Sequence, residues 1–245
     1  MSPETRDVCI VGSGPAGMTA GIFTARAGLD TLVVNTDAPI LERNAHLENV
    51  PGFPAGVNAR RFLALTRDQA ERNGCPFREG AVDRVAVADD GRLRVETDGD
   101  PLVADYVVCA SWSDTGYLAD VAGVGLIERG SKTYVDVDDR GATGVDGLYA
   151  AGRVAGTHHQ TVVAAGNGAA VALEVIEDSE VPFYHDWVAP EGYFTERGRE
   201  VPPGCEEIDD EERKRREREA REVMQEYFGE PHLEGPRQHP SVREE

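Results

Sequence analysis

An α/β fold organised on a parallel sheet is what the sequence predicts, and three observations predict it. Residues 7–35 read as strand, glycine-rich turn, helix and strand. Apolar runs at residues 81–88, 92–97 and 102–110, separated by Asp/Gly and Asp/Gly/Pro turns, add a three-stranded antiparallel meander. From Ser179 the composition shifts to prolines and aromatics and then to dense charge, which marks an extension ending in a charged helix. The expected division is therefore residues 1–178 and residues 179–245.

Residues 7–11 form a short apolar run suited to a strand buried on both faces. Gly12-Ser13-Gly14-Pro15-Ala16-Gly17 follows, then an Ala-rich helix to Ala27 closed by Gly28. Residues 31–34 make the next strand, ending at Asn35. The three glycines have separate tasks. Gly12 allows the tight turn, Gly14 lets the backbone approach a pyrophosphate, and Gly17 lets the helix pack on the sheet. The helix N-terminus adds free N–H groups and a positive dipole end. Placed between a strand and a helix, the Gly-x-Gly-x-x-Gly pattern identifies Gly12, Gly14, Pro15, Ala16 and Gly17 as a candidate dinucleotide-binding turn. The acid that usually ends the second strand is replaced by Asn35, with Asp37 two residues on. Asn35 reads either as an uncharged ribose partner or as a strand-end turn residue.

Asn58 caps a helix running to Asn73, with Phe62, Leu63, Leu65 and Ala70 as its buried stripe and its arginines and Glu71 toward solvent. Gly74 stops it. After the meander, residues 111–130 are turn-rich, residues 133–137 read as a strand, and residues 145–152 as an apolar run ending in small residues. An Ala/Gly-rich helix spans residues 160–176. Residues 181–204 carry prolines and aromatics without periodicity. Residues 206–228 form a charged helix with acid at its start and base just after, an order that suits the helix dipole. Its thin apolar stripe of Ile208, Val223, Met224, Tyr227 and Phe228 would project toward a protein partner. Beyond Gly229 the Pro-, Glu- and His-rich chain reads as disordered.

The 245 residues hold 25 basic against 45 acidic side chains, a net charge of −20 that excludes backbone-driven nucleic-acid binding. The apolar runs are far too short for a membrane span, and residues 1–7 lack a signal-peptide core. A cytoplasmic protein without membrane contact is expected. Lys132 and Lys214 are the only lysines, and this acid-rich, lysine-poor balance points to a halophilic setting, where screening relieves self-repulsion. Cys9, Cys75, Cys109 and Cys205 form neither a Cys-x-x-Cys pair nor a zinc pattern. Cys9 and Cys109 lie in apolar runs, as core residues do, whereas Cys75 and Cys205 lie in polar surroundings.

Three blocks in order, Gly12 to Gly17, Glu48-Asn49-Val50-Pro51-Gly52-Phe53-Pro54, and Gly147-Leu-Tyr-Ala-Ala-Gly152 with Gln160 and Ala164-Ala-Gly166-Asn-Gly168-Ala-Ala170, resemble the FAD domain of the low-molecular-weight thioredoxin reductases and related flavoproteins with two dinucleotide-binding domains. The resemblance covers residues 5–178. It implies a Rossmann-like FAD-binding domain whose meander covers one sheet face. It also implies a segment around Asn49 bordering the flavin, Gly152 and the residue after it at the pyrophosphate–ribityl region, and Gln160 and Thr161 opening a helix near the isoalloxazine.

Three departures matter. The family places a whole NAD(P)H domain with its redox Cys-x-x-Cys where this chain has residues 111–146. The family's Ala-x-Gly reads Ala110-Ser111-Trp112, and its Gly-Asp reads Gly152-Arg153, which replaces a hydrogen-bond acceptor by a cation. His158 and His159, just before the last core helix, read as loop residues or as proton carriers near a flavin. The expected function is a single-domain FAD oxidoreductase, a homodimer that depends on partners for electrons. The alternative is a non-catalytic relative acting as a scaffold.

Overall fold

The computed structural model describes residues 3–36 and 39–239; Asp37 lies outside them. In chain order the elements are β1 (Glu4–Val11), α1 (Pro15–Arg26), β2 (Thr31–Asn35), α2 (Ala59–Arg72), β3 (Phe77–Glu79), β4 (Val82–Val87), β5 (Leu93–Thr97) and β6 (Leu102–Cys109). They continue with β7 (Leu126–Arg129), β8 (Lys132–Val135), β9 (Leu148–Ala150), α3 (Thr161–Asp178), β10 (Trp187–Pro190), β11 (Cys205–Ile208) and α4 (Asp210–Phe228).

The main sheet runs β3-β2-β1-β6-β5-β4, with β9 also paired to β6. Strands β3, β2, β1, β6 and β9 are mutually parallel, with Val8 opposite Thr31 and Val11 opposite Cys109. Because side chains alternate across a strand, the two faces build two cores. Val8, Ile10, Val33 and Val108 pack with Ala16, Ala20, Val171 and Val175 of α1 and α3. Cys9, Val11, Val34 and Val107 pack with Val85, Leu93 and Val95 of the meander. The buried runs that identified the strands thus serve both faces at once. The helices approach so closely that a Cβ on Gly168 would lie 2.1 Å from the Ala16 carbonyl oxygen.

The meander is hydrogen-bonded into the sheet through β6 and turns its apolar side chains over the face opposite α1 and α3. The first half of β6 pairs antiparallel with β5 (Leu93 opposite Ala104), and its last residues pair with β9 (Val107 opposite Leu148). Strand β6 is long enough to serve both, and its side chains reach the second core. The Asn58 side chain caps α2 through the Arg60 and Arg61 amides, as the sequence predicts. Arg60, however, is buried and not solvent-facing, because its guanidinium donates to the Glu42 and Asn44 carbonyls at 2.7 and 3.0 Å. Cys75 is fully buried as well, since the turn after α2 directs it into the α1 core against Gly21.

The extension departs most from expectation. Residues 187–190 and 205–208, read as aperiodic and as helix, pair as the parallel strands β10 and β11. The Glu207 carboxylate accepts from the amides of Gly192, Phe194 and Thr195, which draws that segment out of the helix. Helix α4 therefore starts at Asp210, capped by Asp209, whose Oδ1 accepts from the Glu212 amide at 2.7 Å. Val181 and Phe183 pack against the α1/α3 core, and Arg26 grips Asp186 with two bonds of 2.5 and 2.7 Å. Helix α4 runs beside α2 and does not project: Phe228 lies 6.2 Å from Phe53, with the Arg61 guanidinium 4.9 Å from its ring. Residues 230–239 have no helix or strand, but Arg61 donates to the Glu230 carbonyl and Arg237 pairs with Glu42.

Candidate functional site

A cavity of about 570 Å³ opens over the carboxyl ends of β2, β1 and β6, where parallel α/β sheets bind ligands. Its middle is the turn from Gly12 to Ala16. Asn35 and Thr36 line it at the end of β2, Trp112 lines it after β6, and Arg153, His159 and Gln160 line it between β9 and α3.

The turn has the shape that its glycines imply. Gly12 has φ +109°, and a Cβ on it would strike the Ala110 carbonyl oxygen at 2.6 Å. A Cβ on Gly17 would stand 1.9 Å from the Gly12 oxygen, so Gly17 serves helix–turn packing and does not line the cavity. Gly14 lines the cavity, and a Cβ there would meet no atom within 4 Å. It is an open cradle that faces the cavity. The first turn of α1 has Pro15 in it, no side-chain cap and no acidic residue, which leaves its positive end for an anion. On a chain of net charge −20, the lining sets Arg43 and Arg153 against the single carboxylate Asp114. Volume, cradle and charge all fit a dinucleotide.

The structure brings together Gly12, Gly14, Pro15, Ala16, Asn35, Asn49, Arg153, Gln160 and Thr161 around this cavity. Asn49 and Gln160 meet directly: the Asn49 Nδ2 donates to the Gln160 Oε1 at 2.8 Å across 111 positions of sequence. Gly152 lies behind the wall instead. Its amide donates to the Asn167 Oδ1 at 2.6 Å, and a Cβ on it would press on Ala16 at 2.7 Å. Position 152 therefore positions Arg153 and touches no cavity space.

Arg153 donates through Nη2 to the Tyr134 hydroxyl at 2.6 Å and through Nη1 to the Thr157 carbonyl at 3.2 Å. Neither partner is a carboxylate, so the guanidinium keeps its full positive field. Burial and this Arg153 charge hold the His159 imidazole below its ordinary pKa of 6.5. The His159 ring lies 4.3 Å from the Trp112 ring, nearly perpendicular to it. Tyr117 is buried at the cavity edge with its hydroxyl 2.7 Å from the Ser111 Oγ; burial pushes its pKa up.

Sequence reasoning missed Arg43, Tyr117, Tyr134 and Asn167. Arg43 and Tyr117 stand in irregular or turn-rich segments without a pattern, and Tyr134 lies in a short strand run that carries no functional signal. Asn167 did carry a signal, as the polar residue inside an otherwise apolar Gly-Asn-Gly stretch of helix. Among the described residues no group of three His, Cys, Asp or Glu side chains is placed to hold a metal ion. No helix among them is long and apolar enough to cross a membrane.

Residues 7–41 match the FAD binding domain family. The chain is 36% identical over 107 residues to the thioredoxin reductase of Aquifex aeolicus, covering 43% of this chain and 33% of that protein. It is 40% identical over 98 residues to the enzyme of Streptomyces coelicolor, covering 39% and 30%. It thus spans about a third of the length of the curated relatives that it matches. A thioredoxin reductase structure from Gloeobacter violaceus superposes with a TM-score of 0.66 at 18% identity, over 75% of this chain and 100% of that one. Fold and site define an α/β FAD-binding domain. Over these segments the domain is similar to the thioredoxin reductases, and the family match supports FAD as its cofactor.

Proposed function

We propose that the chain is a thioredoxin reductase-like flavoprotein oxidoreductase that has neither its own NAD(P)H domain nor a redox disulfide and exchanges electrons through partners. The observation that carries the reading is the cavity itself, which runs from Asn35 over the open Gly14 cradle to Arg153. FAD, when bound, supplies the redox chemistry. In this reading the Gly12–Gly17 turn and the α1 N-terminus hold the diphosphate, and Asn35 meets a ribose. The Asn49–Gln160 pair borders the ring system, and Arg153 stands where an acceptor would hold the ribityl chain.

Dependence on partners is inferred from residues 111–146, which contain only a 3-10 turn and the short strands β7 and β8. It is also inferred from the cysteines, all free, with Cys9, Cys75 and Cys109 buried. Residues 181–194 are proposed as a cover for the 1–178 unit, within its own chain or in a homodimer, and the exposed side of α4 as the part that faces a protein partner. The acid-rich, lysine-poor composition is read as adaptation to a salty cytoplasm; a melting temperature that rises with potassium chloride supports it, and a flat response removes it.

The test is reduction of the FAD-loaded protein by separate donors in a stopped-flow instrument. NADH and NADPH should leave the flavin oxidised, whereas a chemical or protein donor bleaches it. Bleaching by NADPH at ordinary turnover, about 1–10³ per second, would overturn the partner-dependent reading. A scaffold role is the second reading, favoured by the guanidinium at Arg153. A purified protein that is colourless and refuses added FAD would establish it over the first.

A further inference from the structure

Trp112 is, among the described residues, the one non-glycine residue with positive φ, at +65°. A bulky side chain in the left-handed region is strained and persists only where its surroundings over-determine it. Here they do. The Ser111 Oγ donates to the Asp114 carbonyl at 2.7 Å, and the Asp114 amide returns a bond to the Ser111 carbonyl at 3.1 Å, which closes the turn around Trp112. Tyr117, buried in the core, braces the same Ser111 hydroxyl. Core packing does not account for the indole, since it lines the cavity and stays only half-buried.

Its position along the cavity says what it would meet. The diphosphate turn follows β1, and the ribose side lies at the end of β2. Strand β6 flanks β1 on the opposite side, and Trp112 follows β6 by three residues. A dinucleotide lying over the turn with its adenosine toward Asn35 carries its second half to the β6 side. There Trp112 stands with the His159 ring at 4.3 Å.

We propose that Trp112 is a specificity-determining residue, its indole fixed by the strained turn as a stacking platform for the ring of the second half of the dinucleotide. The inference rests on the FAD reading above and assigns the ring contact within it. Aromatic stacking is tolerant of ring identity, so the platform selects a flat heteroaromatic system and not a particular substituent.

The test titrates the full-length apoprotein with FAD and, separately, with ADP, which has the diphosphate but no second ring. Trp112→Ala should weaken FAD about tenfold, equivalent to 1.4 kcal/mol, and leave ADP within about twofold. Trp112→Phe should keep most of the FAD affinity. Flavin fluorescence should be quenched in the parent protein and recover in Trp112→Ala. Trp112→Gly should melt higher than the parent in the apo state, because glycine relieves the left-handed strain. Unchanged or tighter FAD binding in Trp112→Ala would overturn the proposal, showing the indole to be a bystander or a plug. Parent protein that binds ADP but excludes FAD would overturn it too. Parent protein that binds neither would overturn the FAD reading itself, and this inference with it.

Discussion

On the β1 side of the cavity the ligand-facing surface is main chain: Gly12 and Gly14 present backbone, and the first turn of α1 has no capping side chain. On the β6 side it is side chain: Trp112, Arg153, His159 and Gln160, drawn from two loops about forty residues apart. The first surface is made by one contiguous hexapeptide, and its geometry follows from which residues lack a Cβ. The second exists only because β6, β9 and the N-terminus of α3 end side by side. Substitutions at the two ends should therefore fail in different ways, and four experiments bear on that contrast.

The largest effect on the cofactor belongs to Gly14→Val. Two methyl groups would fill a cradle where no protein atom lies within 4 Å, so FAD retention should fall by at least about 100-fold, or 2.7 kcal/mol. Far-UV circular dichroism should stay unchanged. Cofactor content equal to that of the parent would break the assignment. Gly17→Ala, three residues on, should do the reverse: a Cβ 1.9 Å from the Gly12 oxygen should cost about 3 kcal/mol of stability, read by denaturant unfolding. If Gly17→Ala were as stable as the parent, the turn would be softer than its contacts imply.

At the other end, Arg153→Met should shift a titration more than it shifts stability. Burial and then the Arg153 cation lower the His159 pKa, so removing the cation should move it upward while the burial contribution stays. Protonating a group whose folded pKa is depressed opposes folding, so this small contribution is present above pH 6.5 and fades as pH falls below it. Ring-proton NMR titration of His159 in both proteins reads the shift; a downward or absent shift would break the link.

The smallest effect is expected at the edge of the extension. Asp186→Asn removes one partner of a half-exposed pair with Arg26 and should cost about 0–1 kcal/mol. It should speed proteolysis within residues 179–209 without changing FAD content. A loss of FAD would show that the extension supports the cavity directly.

From sequence alone, β1, the glycine turn, α1, β2, the Asn58-capped α2 and the two β-hairpin turns of the meander were all determined. Each depends on local rules: alternation, glycine conformational freedom, or a side chain capping its own helix. The residues of the glycine turn were read with them, as was the absence of a Cys-x-x-Cys. Tertiary structure decided the rest. Whether β6 belongs to the meander or to the parallel sheet depends on long-range hydrogen bonds, and it belongs to both. Whether residues 205–208 are helix or strand was settled by amides from residues 192–195 that hold the Glu207 carboxylate. Arg60 carried the composition of a solvated helix face, yet the carbonyls of residues 42 and 44 provide it with buried acceptors. The pairing of Asn49 with Gln160, and of Trp112 with His159, joins positions whose separation in sequence holds no local signal. Local sequence sets what a short segment can do by itself, and only the folded chain decides which distant polar and aromatic groups it will meet.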